Sequence, residues 1–256
     1  ALRHRGARAF ATARRSDSVD QLSSEGFESL LLDLDDSASI RQAVDDVLQK
    51  TGGELYALFN NGAFGLPGAV EDLSRDAIRA QFETNLFGWL ELTNLLLPVM
   101  RKQGYGRIVQ NSSVLGFVAM PFRGAYNATK HAIEGLSDTL RLELKDTNIH
   151  VSLVEPGPIL SRFRANALVA MQKHIDIDNS VHSERYRRVL ERLTTEGPAV
   201  PFTLPPEAVL KKVIHALESQ KPRARYYVTF PTYLFGYLKR MLPTSMLDSV
   251  LRQASN

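Results

Sequence analysis

Three side chains define the chemistry this sequence is able to carry. Tyr126 and Lys130 stand four residues apart in GAYNATK, and Ser113 lies thirteen residues before the tyrosine. The i, i+4 spacing puts phenol and ammonium on one helix face, close enough to interact. A free phenol titrates near pH ~10, too high for easy proton exchange at neutral pH. A neighbouring ammonium favours the phenolate and lowers that value. A tyrosine tuned this way gives a proton to a forming alkoxide or takes one from an alcohol. The Ser113 hydroxyl could hold the carbonyl oxygen in place. None of these groups supplies a hydride, so a cofactor must. Alone, a Tyr-x-x-x-Lys pattern is a surface pair on an amphipathic helix. The Ser112-Ser113 strand end upstream and the EPG turn downstream give it context.

Such residues need a scaffold, and the chain alternates two kinds of segment. Strand-like runs are Arg8–Ala13, Ser29–Leu34, Leu55–Asn61, Arg107–Ser112, His150–Glu155 and Arg225–Phe230. Helical patterns cover Ser37–Lys50, Ser74–Gln103 with a break near Asn85–Gly88, Gly124–Thr147 and Pro206–Ser219. Alternation of this kind predicts βαβ units and a parallel sheet. Runs such as LYALF and HVSLV are apolar nearly throughout, as strands covered on both faces require. The expected fold is α/β: a doubly wound, Rossmann-like parallel sheet in three layers, as one domain over 1–256. Residues 161–205, polar and Arg-rich, read as an insertion over the substrate cleft. Residues 233–256 read as an amphipathic tail that packs on its own domain or a partner subunit in preference to a membrane surface.

Composition removes other classes. Apolar residues make up 44% and charged residues 23% of the 256, as in globular proteins. The net charge of +3 is too mild to argue for nucleic acid. With no cysteine there is no disulfide scaffold, Cys nucleophile or Cys-bound metal, and no metal site is read. The same absence fits a reducing compartment, and the expected location is cytoplasmic. No apolar run reaches membrane-spanning length. The first sixteen residues are Arg-rich and free of acid; the favoured reading is a helix end, a turn at Gly6 and a strand rather than a transit peptide.

GRIVQNSSVLGFVAMPFRGAYNATK, with EPGPI and ETNLFG, resembles the short-chain dehydrogenase/reductase family, in its hydroxysteroid-dehydrogenase-like and aldehyde-reducing branch. The resemblance implies Tyr126 as acid/base, Lys130 as its partner and holder of the nicotinamide ribose, and Ser113 as the group orienting substrate. Asn85 would bend its helix and anchor a water in the proton relay. Pro156, Gly157, Ile159 and Ser161 would contact the nicotinamide. Asp33, with Leu34, would meet the adenine, and Asn60, Gly62 and Ala63 would form part of the cofactor loop.

The second strand of such a fold ends in an acid for NAD or in arginine for the 2′-phosphate of NADP. Here it exits into Arg14 and Arg15, with no carboxylate before Asp17, so NADP(H) is favoured over NAD(H). Two departures stand out. The family's TGxxxGIG turn and first strand are expected ahead of residue 1, so the sequence is expected to be part of a longer protein. Without that strand, two apolar edges would stay unpaired. The family's NNAG is Asn60-Asn61-Gly62-Ala63 here, and an Ala63 at positive φ would cost roughly 1 kcal/mol.

The expected function is NADP(H)-dependent interconversion of a lipophilic carbonyl and its alcohol. The alternative is a non-catalytic dinucleotide-binding module or redox sensor. Val114, Leu115, Phe117, Val118, Met120, Pro121 and Phe122, with Phe163, Leu168 and Met171, are expected to include an apolar cleft lining. The expected partners are that small substrate and further copies of the chain, a homo-oligomer paired through the helices at 74–103 and 124–147.

Overall fold

The computed structural model describes residues 2–255; Ala1 and Asn256, the ends of the expected domain and tail, lie outside the described residues. β1 (Phe10–Ala13) leads through α1 (Ser16–Ser24) to β2 (Glu28–Leu31). The sequence pattern did not reveal α1, because SDSVDQLSS buries none of its residues and so carries no apolar stripe. α2 (Ser37–Thr51) starts where the Asp36 carboxylate accepts from the Ala38 N–H and ends at Gly52, φ 70°. β3 (Ala57–Asn60) is followed by α3 (Arg75–Phe82), a π-helical turn over Glu83–Phe87, and α4 (Gly88–Gln103). That turn is the expected break. β4 (Gly106–Asn111), α5 (Gly124–Glu143) and β5 (Ile149–Glu155) complete the half that carries the Tyr–Lys pair. Then come α6 (Phe163–His174), α7 (Ser183–Thr194), α8 (Glu207–Glu218), β6 (Arg225–Tyr227), α9 (Phe230–Met241) and α10 (Thr244–Ser255).

All strand pairs are parallel, and the architecture is the expected Rossmann-like α/β domain. One feature differs from a single continuous sheet. β3-β4-β5-β6 form one sheet and β1-β2 a separate pair, so among the described residues β1 and β3 each keep one edge without a strand partner. Within the four-stranded sheet, successive β4 side chains go to opposite faces. Ile108 packs with Met100, Leu144, Ile149 and Val151, toward α4 and α5. Val109 packs with Val154, Val213, Ala216 and Tyr226, toward α8. These two apolar layers give the strands their continuous hydrophobic character.

Residues 161–205 contain α6 and α7, which clamp onto the segment after β3 through Met171, Tyr186 and Leu193. The tail is two helices, broken at Leu242-Pro243 because proline interrupts the ladder. Phe235 and Leu251 pack on Val114, Leu115 and Val118, so the tail covers its own domain. No helix among the described residues is long and apolar enough to cross a membrane.

Candidate active site

β4 ends by delivering Asn111, Ser112 and Ser113 to the carboxyl edge of the sheet, where ligand crevices of open α/β sheets lie. Two backbone bonds tie this exit to the end of β5. Ser112 N donates to Val154 O and Val114 N to Pro156 O, both at 2.8 Å. The buried Ser113 hydroxyl accepts from Leu115 N at 3.1 Å, capping the turn Val114–Gly116. α5 crosses this exit and presents Tyr126 and Lys130.

Lys130 is 1% exposed. Its Nζ donates to Asn111 O at 2.7 Å and lies 4.5 Å from the Trp89 ring centroid and 5.5 Å from that of Tyr126. Burial pushes the ammonium down to about 7, with Glu134 pulling the other way. The phenol of Tyr126 is pushed up by burial, and the Ser113 hydroxyl is the group that lowers it. This corrects the expectation that the lysine tunes the tyrosine downward. Here the lost hydration of the phenolate outweighs its neighbours. Phe163 of α6 meets Tyr126 edge-on, with centroids 5.3 Å apart.

Asn85 sits fully buried in the π turn. Its Nδ2 donates to Phe64 O at 2.9 Å and Thr129 Oγ1 at 3.2 Å, and its Oδ1 accepts from Phe64 N at 3.1 Å. It thus ties α5, one residue from Lys130, to the segment after β3. Nothing in the sequence pointed to Thr129 or Phe64 as companions of Asn85, or to Trp89 as that of Lys130, since these meet only across the fold.

The cofactor residues expected from the sequence gather at the strand exits. Arg14 and Arg15 follow β1, both exposed. The Arg15 fork is engaged by Asp17 at 3.0 and 3.1 Å, whereas Arg14 has no ion pair among the described residues. Asp33 follows β2, its Oδ1 accepting from Asp35 N at 3.1 Å and its own N donating to Ser39 Oγ. Leu34 packs toward Ile40, Leu86 and Trp89. The Asn60 amide is consumed in the core by Thr93 Oγ1 and Gln110 Oε1, at 3.1 and 2.9 Å. Gly62 O accepts from Trp89 Nε1 at 2.5 Å.

Gly62 and Ala63 both lie outside the positive-φ region; among the described residues, Phe122 and Phe202 are the non-glycine residues within it. The exchanged NNGA order therefore carries no left-handed strain at Ala63, and the cost that a positive φ there would bring does not arise. Pro156 and Gly157 follow β5. A Cβ on Gly157 would stand 2.2 Å from Thr229 Oγ1, so only glycine permits that approach. Ile159 bridges to Leu204, and the Ser161 hydroxyl accepts from Phe163 N at 3.3 Å.

Val114, Leu115 and Val118 are buried beneath α9 and α10, with Phe117, Met120 and Tyr126 packed against the same cluster, and Met171 is buried among the residues of α6 and α7. From α6, Phe163 meets the Tyr126 ring.

Behind the pair, α5 and β5 share a buried charge cluster. Arg225 donates to Glu134 at 2.8 Å and Asp138 at 2.6 Å, and lies 3.6 Å from Glu155. Burial, then the charge of Glu134, pushes Glu155 up to about 9.

The short chain dehydrogenase family matches residues 1–171. The chain is 42% identical over 251 residues to the uncharacterized oxidoreductase YbbO of Escherichia coli, covering 98% of this chain and 87% of that one. It is 29% identical to the NADPH-dependent 3-dehydrocapnine reductase of Ornithobacterium rhinotracheale, covering 88% and 79%. A solved short-chain dehydrogenase from Streptomyces avermitilis superposes with a TM-score of 0.74 at 28% identity, covering 96% of this chain and 85% of that one.

Proposed function

Because the chain belongs to the short-chain dehydrogenase family of oxidoreductases, we propose that it interconverts a lipophilic aldehyde or ketone and its alcohol, using NADP(H) and Tyr126 as acid/base. One observation carries this reading: Ser113, Tyr126 and Lys130 converge in one water-poor site at the carboxyl edge of the sheet.

The residues present fit a nicotinamide dinucleotide at two of its ends. Asn111 Oδ1 is buried without a hydrogen-bond partner, beside an ammonium that has donors to spare. Such an acceptor–donor pair suits ribose hydroxyls. At the other end, Arg14 is free to meet a 2′-phosphate, and Arg15 would first have to leave Asp17. The relative from Ornithobacterium, named as NADPH-dependent, supports the same preference. When bound, the nicotinamide supplies or accepts the hydride. Tyr126 holds the proton that passes to the carbonyl oxygen, Ser113 orients that oxygen, and Lys130 keeps the phenol in register. Phe163 offers an apolar wall to the substrate.

The test is NADPH consumption against a panel of medium-chain and aromatic aldehydes, retinoids and steroid-like ketones. Tyr126→Phe should lower turnover at least ~100-fold while NADPH binding persists. Arg14→Ala should erode the preference for NADPH over NADH. Turnover by Tyr126→Phe equal to that of the unaltered protein overturns the assignment. Tight NADPH binding with no turnover on any carbonyl favours a non-catalytic binding module instead.

A further inference from the structure

α9 carries apolar side chains on two opposite faces. On the inner face Thr232, Phe235 and Gly236 are buried, and Phe235 packs with Val114 and Val118. On the outer face stand Phe230, Tyr233, Leu234, Tyr237 and Met241, exposed by 39 to 76%. Their spacing of i, i+3, i+4, i+7 and i+11 gathers them into one stripe about 100° wide along the helix. A tail with a single apolar face would spend it on its own domain; α9 has a second one, and it faces solvent.

Another segment joins this stripe. Phe202, in the Pro-rich stretch before α8, has its ring centroid 5.0 Å from that of Phe230. Its φ of 61° lies in the left-handed region, which a bulky residue enters at a cost. Both rings are more than half exposed, so burial does not offset that cost. The patch is moored beside the carboxyl edge of the sheet. Leu204 bridges to Ile159, and Thr229, the residue before α9, closes on Gly157.

The polar groups of the patch decide what can cover it. Neither 197–206 nor α9 contains an acid, and the charges there are Lys239 and Arg240. Lys239 is turned inward and donates to Phe117 O. Arg240 continues the Tyr233 side of the stripe, seven residues further on. Among the described residues its guanidinium makes no hydrogen bond or ion pair, and the hydroxyls of Tyr233 and Tyr237 make no hydrogen bond. A second copy of the chain docked face to face here would bury one guanidinium and two phenol hydroxyls from each side. These segments would bring no acid to meet them, and such groups are costly to bury unpaired. The surface of an anionic bilayer suits every one of them. Its phosphates meet the guanidinium, its hydrated headgroups meet the hydroxyls, and its acyl carbon receives the rings with Leu234 and Met241.

We propose that the outer face of α9, with Phe202, is a docking surface for an anionic lipid bilayer. No helix among the described residues is long and apolar enough to cross one, so this contact is peripheral.

The test is co-sedimentation of the full chain with vesicles of phosphatidylcholine alone and of an equal mixture of phosphatidylcholine and phosphatidylglycerol. Affinity for the mixture should exceed that for the neutral vesicles about fivefold or more and fall with added salt. Tyr237→Ser combined with Met241→Ser should weaken binding about tenfold. Phe202→Ser, on the other segment, should weaken it as well, and Arg240→Gln should remove most of the preference for the mixture. Leu142→Ser, at an exposed leucine of α5, should change neither. All these side chains are exposed, and thermal melts matching that of the unaltered chain check that each variant is folded. Absence of binding to both vesicles, or binding untouched by the substitutions in the patch, overturns the proposal. A dimer seen by light scattering without lipid, lost in the double variant and unable to bind vesicles, assigns the face to a second copy and likewise overturns it. Binding is read without substrate or turnover, so the outcome is independent of the dehydrogenase reading.

Discussion

Glu155 ends β5 with 1% of its surface exposed, and its Oε2 has no hydrogen-bond partner among the described residues. Glu134 and Asp138 of α5 and Arg225 of β6 face it. Three acids share Arg225, with Arg141 pairing Asp138 alone, and burial with the charge of Glu134 pushes Glu155 up to about 9. The sign follows from linkage. A carboxyl raised from 4.5 to about 9 stabilises the fold below the lower value and loses that contribution as pH rises through the upper one. Glu155→Gln keeps the shape without the charge. Its stability relative to the unaltered protein should therefore increase between pH ~5 and pH ~8, read as the difference in urea midpoints. A difference that stays flat with pH would remove Glu155 as the titrating group. The same physics operates at Lys130 and Tyr126, where burial outweighs the neighbours that motif spacing brings into play.

At the scale of elements, the junction between α3 and α4 governs where the site sits. The π turn rotates Asn85 inward, and α4 then begins at Gly88, hard against the exit of β2. A Cβ on Gly88 would lie 2.2 Å from Leu34 O, a backbone atom that cannot swing away. Gly88→Ala should cost about 1–3 kcal/mol in urea unfolding, because α4 or the Leu34 loop must shift. A cost below ~0.5 kcal/mol would show that this contact is loose. Shifting α4 also moves Trp89, which touches both Gly62 and Lys130, so weaker NADPH binding should accompany the lost stability.

The whole molecule presents apolar residues outward on the two long helices of the sheet's α4–α5 side. Phe87, just before α4, and Leu90 lie one turn apart and are 49% and 38% exposed; Leu136 and Leu142 project from α5. Family membership and this surface lead to the expectation of a homo-oligomer. Leu90→Arg or Leu136→Arg should shift the mass seen by light scattering toward the monomer, since a buried unpaired charge destabilises an interface. An unchanged mass in both variants would place the contact elsewhere. The divided sheet belongs to this scale too: among the described residues β1 pairs with β2 alone and β3 with β4 alone.

Much of the molecule was legible because local chemistry and periodicity are local properties. The alternation of apolar strands with helices determined the α/β class, and Ser113, Tyr126 and Lys130 were marked by their types and spacing. The pause in helical pattern near Asn85 marked the π turn. The sequence could not show α1, whose helix buries nothing. Nor could it separate core from cleft after Ser113, because Val114, Leu115 and Val118 are apolar in either role and α9 and α10 decide which. Neither could it show that Arg15 is held by Asp17. Burial and charge environment depend on residues distant in the chain, and only tertiary packing sets which groups lose their water and which partners remain.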